Sequence, residues 1–402
     1  MAGPGAEYIG TEEKLEALDV LASGYLFRYG RSDDARFKAK VWNLEREFCD
    51  YVGAKHGLAV NSGTSALLAS LIGLEIGAGD EVIVPGYTFI ASISSIVYAG
   101  GIPVLAEIDE SLNLDPMDLE RRITERTKAI MAVHMLGNPA KMDAIMEIAN
   151  RRGIPVIEDA AQACGGVYRG KKLGTIGKIG AYSFNFYKTM TCGDGGMMVT
   201  DDEEVYTKGF GFHDQGHLPN RQGVEIGKRS AIGLDFRMNE LTGAVALAQL
   251  RKLDAVLNHL RAIKKTFKEK ISGLKGIQFR EITDAEGECA TVLTIILPDR
   301  EEAKTLARRL DTPLLINSGW HVYRNMEQIL CREFKTLDGQ VIKYEKGMLP
   351  RTEDILRRSM NLTIGLRDRG IGAVYGLGPK DTTKEAESKG YEFAKIVRET
   401  IG

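Results

Sequence analysis

At 402 residues the chain is too long for one ordinary hydrophobic core, so two domains are expected, one of them large. Its 53 basic and 55 acidic residues leave a formal charge of -2, which excludes recruitment of nucleic acid or an anionic membrane by a global field. Five scattered cysteines (Cys49, Cys164, Cys192, Cys289, Cys331) with no C-x-x-C pair argue against a disulfide framework or a zinc site and favour a reducing cytoplasm, and the stretch from Met1 to Glu7 lacks the pattern of a secretory signal.

In chain order, the first informative segment is Asn61-Ser62-Gly63-Thr64-Ser65, small hydroxyl residues just ahead of an apolar helical pattern. Short β-branched runs follow at 81–84, 102–105, 129–133 and 155–157, with an amphipathic helical stretch at 141–149 between the last two. Strand and helix alternate, which predicts a mostly parallel sheet flanked by helices, with ligands at the carboxyl ends of its strands. The run Val156-Ile157-Glu158-Asp159 ends on carboxylates at that edge. A long helical pattern begins near Glu240 and runs towards Leu260, and a domain boundary is placed near 255, giving a large domain over 1–255 and a smaller α/β domain over 256–402. The second is read from a strand at 290–297, a helix at 301–310, a strand at 359–366 and a terminal helix. Between them, 319–349 has little regular pattern and reads as a loop that lines a pocket.

Lys188 stands between the polar-aromatic approach Ser183-Phe184-Asn185-Phe186-Tyr187 and the glycine-rich exit Gly193-Asp194-Gly195-Gly196. A lysine on such a tight segment can be desolvated, which lowers its pKa and frees the amine to attack a carbonyl; the plain alternative is a surface turn. Thr64 and Ser65 suit a phosphate at a helix N-terminus, although an ordinary helix cap has the same composition. Together with the aromatic of Tyr87-Thr88-Phe89 and the strand-end Asp159, these residues meet the four needs of pyridoxal phosphate: phosphate donors, a stacking face, a carboxylate for the ring nitrogen and a lysine for the aldehyde.

The same segments carry a family resemblance. Asn61-Ser62-Gly63-Thr64-Ser65-Ala66-Leu67, Pro85-Gly86-Tyr87-Thr88-Phe89, Glu158-Asp159-Ala160-Ala161-Gln162-Ala163, Ser183-Phe184 followed by Lys188, and Gly193-Asp194-Gly195-Gly196 stand in the order found in the DegT/DnrJ/EryC1/StrS sugar aminotransferases, which the chain resembles over nearly its whole length. The resemblance implies fold type I, the aspartate-aminotransferase-like architecture, with pyridoxal 5'-phosphate as cofactor. It implies that Lys188 holds the cofactor as a Schiff base and shuttles the proton, that Asp159 faces the ring nitrogen, Gln162 the phenolic oxygen and Phe89 the ring, and that Thr64, Ser65 and Ser183 bind phosphate.

It further implies a homodimer with shared sites, because the stretch from Gly233 to Leu241 resembles one that reaches a neighbouring subunit's phosphate. Many relatives carry Asn where this chain has Asp235, and an acid beside a phosphate is unfavourable, so either its carboxylate turns away or Arg237 compensates and makes the contact. His321 and Tyr323 fall where relatives place a substrate loop, with ordinary packing as the alternative, and His213 and His217 read as structural or anion-facing. The implied activity is transfer of an amino group from glutamate or glutamine to a keto sugar, most specifically a nucleotide-linked keto-deoxysugar, by a ping-pong course. A keto-cyclitol or keto-octulosonate acceptor, a dehydratase or lyase, and a binder of the cofactor without turnover are the alternatives. Relatives that dehydrate a sugar have His in place of the lysine, so Lys188 favours transamination.

Overall fold

The computed structural model of the protein describes residues 2–219, 227, 229 and 232–401. The strands of its first half are β1 (His56–Val60), β2 (Glu81–Pro85), β3 (Ile102–Ala106), β4 (Thr127–Val133), β5 (Val156–Asp159), the short ribbon of β6 (Val167–Tyr168) and β7 (Lys171–Lys172), β8 (Ile179–Ser183) and β9 (Gly196–Thr200). Among the described residues seven of them form one sheet in the order β1-β9-β8-β5-β4-β2-β3. β9 is antiparallel to both of its neighbours, and the remaining pairings are parallel. Apart from β9, every strand of this sheet therefore delivers its carboxyl end to one edge.

Parallel strands covered on both faces read as unbroken apolar runs. β4 illustrates the cause: Ala129, Met131 and Val133 enter one core, Ile130 and Ala132 the other, and all five are buried. The runs at 81–84, 102–105, 129–133 and 155–157 lie on β2, β3, β4 and β5, and the helical stretch at 141–149 lies in helix Met142–Arg152.

The pattern running from Glu240 to Leu260 forms two helices, Glu240–Leu250 and Leu253–Ile271, rather than one. The break at Arg251 and Lys252 is held from outside, since Lys252 Nζ pairs with Glu13 at 2.6 Å and donates to the Tyr8 carbonyl at 2.7 Å. Residue 255 lies in the first turn of the second helix. Farther on come β10 (Gln278–Phe279), β11 (Val292–Ile296), the hairpin β12 (Glu333–Lys335) and β13 (Val341–Lys343), β14 (Ser359–Thr363) and β15 (Ala373–Gly376). A second sheet runs β10-β11-β14-β15, and Leu260, Phe267, Phe393 and Val397 of helices Leu253–Ile271 and Thr383–Ile401 pack with its Leu293, Ile295 and Leu362.

Candidate active site

β8 ends at Ser183 and the chain returns as β9 at Gly196, its register partner, so residues 184–195 form a loop at the carboxyl edge of the sheet. Lys188 sits on that loop, which is held from below by its own N–H to the Asn185 carbonyl at 2.9 Å. It is held from outside by the chain's first residues: the Gly3 N–H donates to the Phe186 carbonyl and the Gly5 N–H to the Lys188 carbonyl, both at 3.1 Å. A Cβ at Gly3 would stand 2.2 Å from the Tyr187 carbonyl carbon, so only glycine permits this approach. The Lys188 side chain lines a small pocket with Gln162, Thr291, His321 and Asp368. Burial pushes its ammonium below the usual lysine range, against the charges of Asp159 and Asp368, which favour the protonated form.

β5 brings two adjacent carboxylates to the same edge, with different surroundings. Glu158 turns into the core, where Ile176 and Gly177 N–H groups reach its Oε1, both at 2.6 Å, while the Gly174 N–H and His134 Nε2 reach Oε2 at 2.8 and 2.9 Å. Asp159 faces the other way; Ser92 Oγ donates to its Oδ2 at 2.7 Å and the Ala161 N–H to its Oδ1 at 3.1 Å. Ser92 Oγ is itself 2.6 Å from Thr88 Oγ1. Strand alternation separates the two roles that the dipeptide leaves open.

β1 runs into helix Gly63–Gly73, capped by Ser62, whose Oγ accepts from the Ser65 N–H at 3.0 Å. Thr64 is exposed in the first turn, whereas the Ser65 hydroxyl is turned inward and donates to Asn61 Oδ1 at 2.6 Å. Ser183 abuts this helix start: a Cβ on Gly63 would lie 2.6 Å from the Ser183 Cβ. The start of this helix, with its dipole and the adjoining Ser183 hydroxyl and with Thr64 exposed in its first turn, thus offers a patch suited to an anion.

The irregular segment after Gly319 reaches the site by pairing with the segment after β2. Thr88 N–H donates to the His321 carbonyl and Ile90 N–H to the Trp320 carbonyl, each at 2.9 Å. His321 is buried, its Nδ1 lies 2.9 Å from Ser318 Oγ, and its ring centroid is 5.3 Å from that of the exposed Phe89. Burial, then the charge of Lys188, push its pKa down to about 3, so the imidazole is neutral at pH 7. Tyr323 is fully buried away from this pocket; its hydroxyl donates to Glu353 Oε1 at 2.8 Å and accepts from the Leu349 N–H at 3.1 Å.

Arg237 lies beside the end of β1, bridging to Val60, and its guanidinium pairs with Asp214 at 2.5 Å and Asp235 at 2.7 Å. The acid that departs from the pattern of relatives is therefore compensated by its second neighbour in the chain. His213 is fully buried, with Nδ1 against the Phe210 carbonyl and Nε2 3.1 Å from Arg28. The lining acid Asp368, brought in by the turn after β14, and the support Ser92 escape a motif-based reading, because each is placed by tertiary packing; Thr88 stands in the motif from Pro85 to Phe89, but its contact with Ser92 is not written there.

Residues 8–367 match the DegT/DnrJ/EryC1/StrS aminotransferase family. The chain belongs to that family. The GDP-perosamine synthase of Caulobacter vibrioides is 43% identical over 235 residues, 58% of this chain and 62% of the relative, so the match spans less than two thirds of that protein's length. The GDP-perosamine synthase of Escherichia coli O157:H7 is 37% identical over 267 residues, 66% of this chain and 72% of the relative. Among solved structures, DesV from S. venezuelae superposes with a TM-score of 0.74 at 30% identity, covering 96% of this chain and 94% of that one. Family membership makes the protein a pyridoxal-phosphate-dependent aminotransferase of fold type I, and the parallel sheet with its carboxyl-edge lysine is that architecture.

Proposed function

We propose that this protein transfers an amino group from glutamate or glutamine to a nucleotide-linked keto-deoxysugar, in two half-reactions at one site. The observation that carries the reading is Lys188, which lines one small pocket with Gln162, His321 and Asp368 at the edge where a helix N-terminus also opens, with burial lowering the pKa of its amine. The donor set fits pyridoxal phosphate on chemical grounds: a buried carboxylate held by a hydroxyl and an N–H, an anion-binding patch and an amine of lowered pKa. When bound, that cofactor supplies a carbonyl for amine capture and a ring that withdraws electrons from the substrate carbon.

In this proposal Asp159 would keep the ring nitrogen protonated, Thr64 and Ser183 with the helix N-terminus would hold the phosphate, and Phe89 would cover the ring; Ser65, expected as a further phosphate ligand, instead spends its N–H on Ser62 and its hydroxyl on Asn61. Gln162 donates to the phenolic oxygen. Lys188 would be the residue that holds the cofactor's carbonyl end, and its amine, once free, would move the proton at the substrate carbon. An amine whose pKa is lowered by burial suits that task better than a solvated one, because more of it is free to take up a proton. His321, neutral and next to the amine, contacts the acceptor without competing for the proton; Tyr323 supports the loop that carries it.

The names of the two GDP-perosamine synthases support a GDP-linked acceptor within this class. Ile232, 98% exposed, and Leu234, 55% exposed, beside Arg237 support a homodimer in which this surface is covered and Arg237 completes a neighbour's phosphate site. We place the protein in the cytoplasm, with 1–255 as the cofactor-binding domain and 256–402 as the smaller one; no helix among the described residues is long and apolar enough to cross a membrane. The test is to load the protein with pyridoxal phosphate and glutamate, then supply a GDP-linked 4-keto-6-deoxysugar. An aminated sugar in the mass spectrum, absent with Lys188→Ala, is the expected result; an unchanged sugar across nucleotide-linked acceptors overturns the substrate class.

A further inference from the structure

Behind the pocket lies a tight segment, Met135-Leu136-Gly137, whose hydrogen bonds beyond the local turn (Gly137 N–H to the His134 carbonyl and Asn138 N–H to the Met135 carbonyl, each 3.3 Å) fall into two sets. Its N–H groups face the first half of the chain: Met135 N–H donates to Asn113 Oδ1 at 2.8 Å and Leu136 N–H to Gln162 Oε1 at 2.9 Å. Its carbonyls face the second half. Arg280 NH1 donates to the Met135 carbonyl at 3.1 Å, Arg280 NH2 to the Leu136 carbonyl at 3.0 Å, and the Cys289 N–H to the Gly137 carbonyl at 2.9 Å. Leu136 is held at φ 57°, a left-handed conformation that a branched side chain adopts only when its surroundings impose it.

The consequence falls on Gln162. A carboxamide has one accepting end and one donating end, and an N–H can be met only by the oxygen. With its oxygen committed to Leu136, the Gln162 amide must turn its NH2 group the other way, and Gln162 lines the pocket that holds Lys188 and Asp368. Arg280 is 2% exposed and uses its two terminal nitrogens on carbonyls rather than on a carboxylate, while its Nε and the nearby Tyr87 hydroxyl have no hydrogen-bond partner among the described residues. A buried guanidinium so arranged is costly, and the group it fixes is this segment.

We propose that Arg280 is a positioning residue: by clamping the Met135 and Leu136 carbonyls it fixes the Leu136 N–H, and through it aims the Gln162 amide at the cofactor's phenolic oxygen. The inference rests on the cofactor reading of the site. It couples the segment bearing β10 and β11 to the electronics of the cofactor through the Met135 and Leu136 backbone.

Two readouts test it. In the cofactor-free protein, Arg280→Met should raise hydrogen exchange at the Leu136 amide by about tenfold or more, as expected for loss of a clamped loop. In the loaded protein, the visible band should titrate with a pH midpoint displaced upwards by about one unit, since a donor that stabilises the phenolic anion is lost. Gln162→Ala should give the same displacement, and the double variant no more than either alone. Arg280→Lys, which keeps the charge and can reach one carbonyl, should fall between, and it serves if Arg280→Met does not fold. An unchanged midpoint in both Arg280 variants, or displacements that add in the double variant, overturns the proposal. Absence of any visible band in the unaltered protein would instead overturn the cofactor reading itself.

Discussion

Exchanging Glu158 and Asp159 in turn for their amides should separate two neighbouring carboxylates of identical chemistry and opposite use. In Glu158→Gln one oxygen can still serve the Ile176 and Gly177 N–H groups. The new NH2 group then faces the Gly174 N–H and His134 Nε2, and His134 cannot change tautomer, because its Nδ1 accepts the Ala140 N–H at 3.0 Å. Two buried donors are left unsatisfied, at about 1–3 kcal/mol each, so the loss is about 2–6 kcal/mol. In Asp159→Asn the carboxamide oxygen keeps the Ala161 N–H, and the Ser92 hydroxyl can rotate to accept, with Thr88 Oγ1 as an adaptable neighbour. That exchange should cost less than about 1 kcal/mol of stability.

Function should respond in the opposite order. Asp159→Asn removes the charge proposed to face the ring nitrogen and should lower turnover by about a hundredfold or more, as loss of a preorganised electrostatic group does. Glu158→Gln, once folded, should keep its visible band and most of its turnover. Urea unfolding of the cofactor-free proteins and single-turnover kinetics of the loaded ones measure both. Equal destabilisation by the two exchanges, or full turnover in Asp159→Asn, would refute the assignment.

Acid should weaken the fold through His213 and His321, each held at about 3 by burial first and then by a neighbouring cation. The unfolded chain takes up these protons at about pH 6.5, so stability is intact above that and falls by about 1.4 kcal/mol per pH unit per histidine as pH drops towards 3. His321→Gln should halve this contribution to the slope of urea midpoints between pH 7 and 5, and an unchanged slope would contradict it. Asp368→Asn removes a charge that raises the Lys188 pKa, so the pH at half-maximal rate of cofactor capture should move down; an upward shift would show that Asp368 acts otherwise. Gly63→Ala places a Cβ 2.6 Å from that of Ser183 and should weaken phosphate binding with a strain of about 1–3 kcal/mol, read as a lower affinity for pyridoxal phosphate at nearly unchanged secondary structure.

Much of the large sheet is legible in the sequence, because burial on both faces leaves runs such as Val82-Ile83-Val84 with no polar alternation to confuse them. The segments of Lys188 and Asp159 stand out for a related reason: Asp159 closes β5 and Lys188 lies on the loop that β8 leads into, both at the edge where strand ends present side chains. Other features are written non-locally. Helix Thr11–Ser23 turns Leu15, Leu18 and Leu21 outward, so its pattern points to the wrong face. β9 opens on Gly196, a residue required by a Cβ-forbidding approach to the Ser62 carbonyl rather than by strand propensity. Asp368 and Arg280 reach the site through the second sheet, and no motif near Lys188 signals them.

In the proposed reading Lys188 is the amine that carries the cofactor through transamination. The most direct measurement is the absorbance of the purified protein between the near ultraviolet and the blue after addition of pyridoxal phosphate, before and after glutamate or glutamine, with Lys188→Ala alongside. A visible band that the donor bleaches, and that Lys188→Ala never forms, is the predicted result. A band that forms equally in Lys188→Ala, or that no amino donor alters, would contradict it.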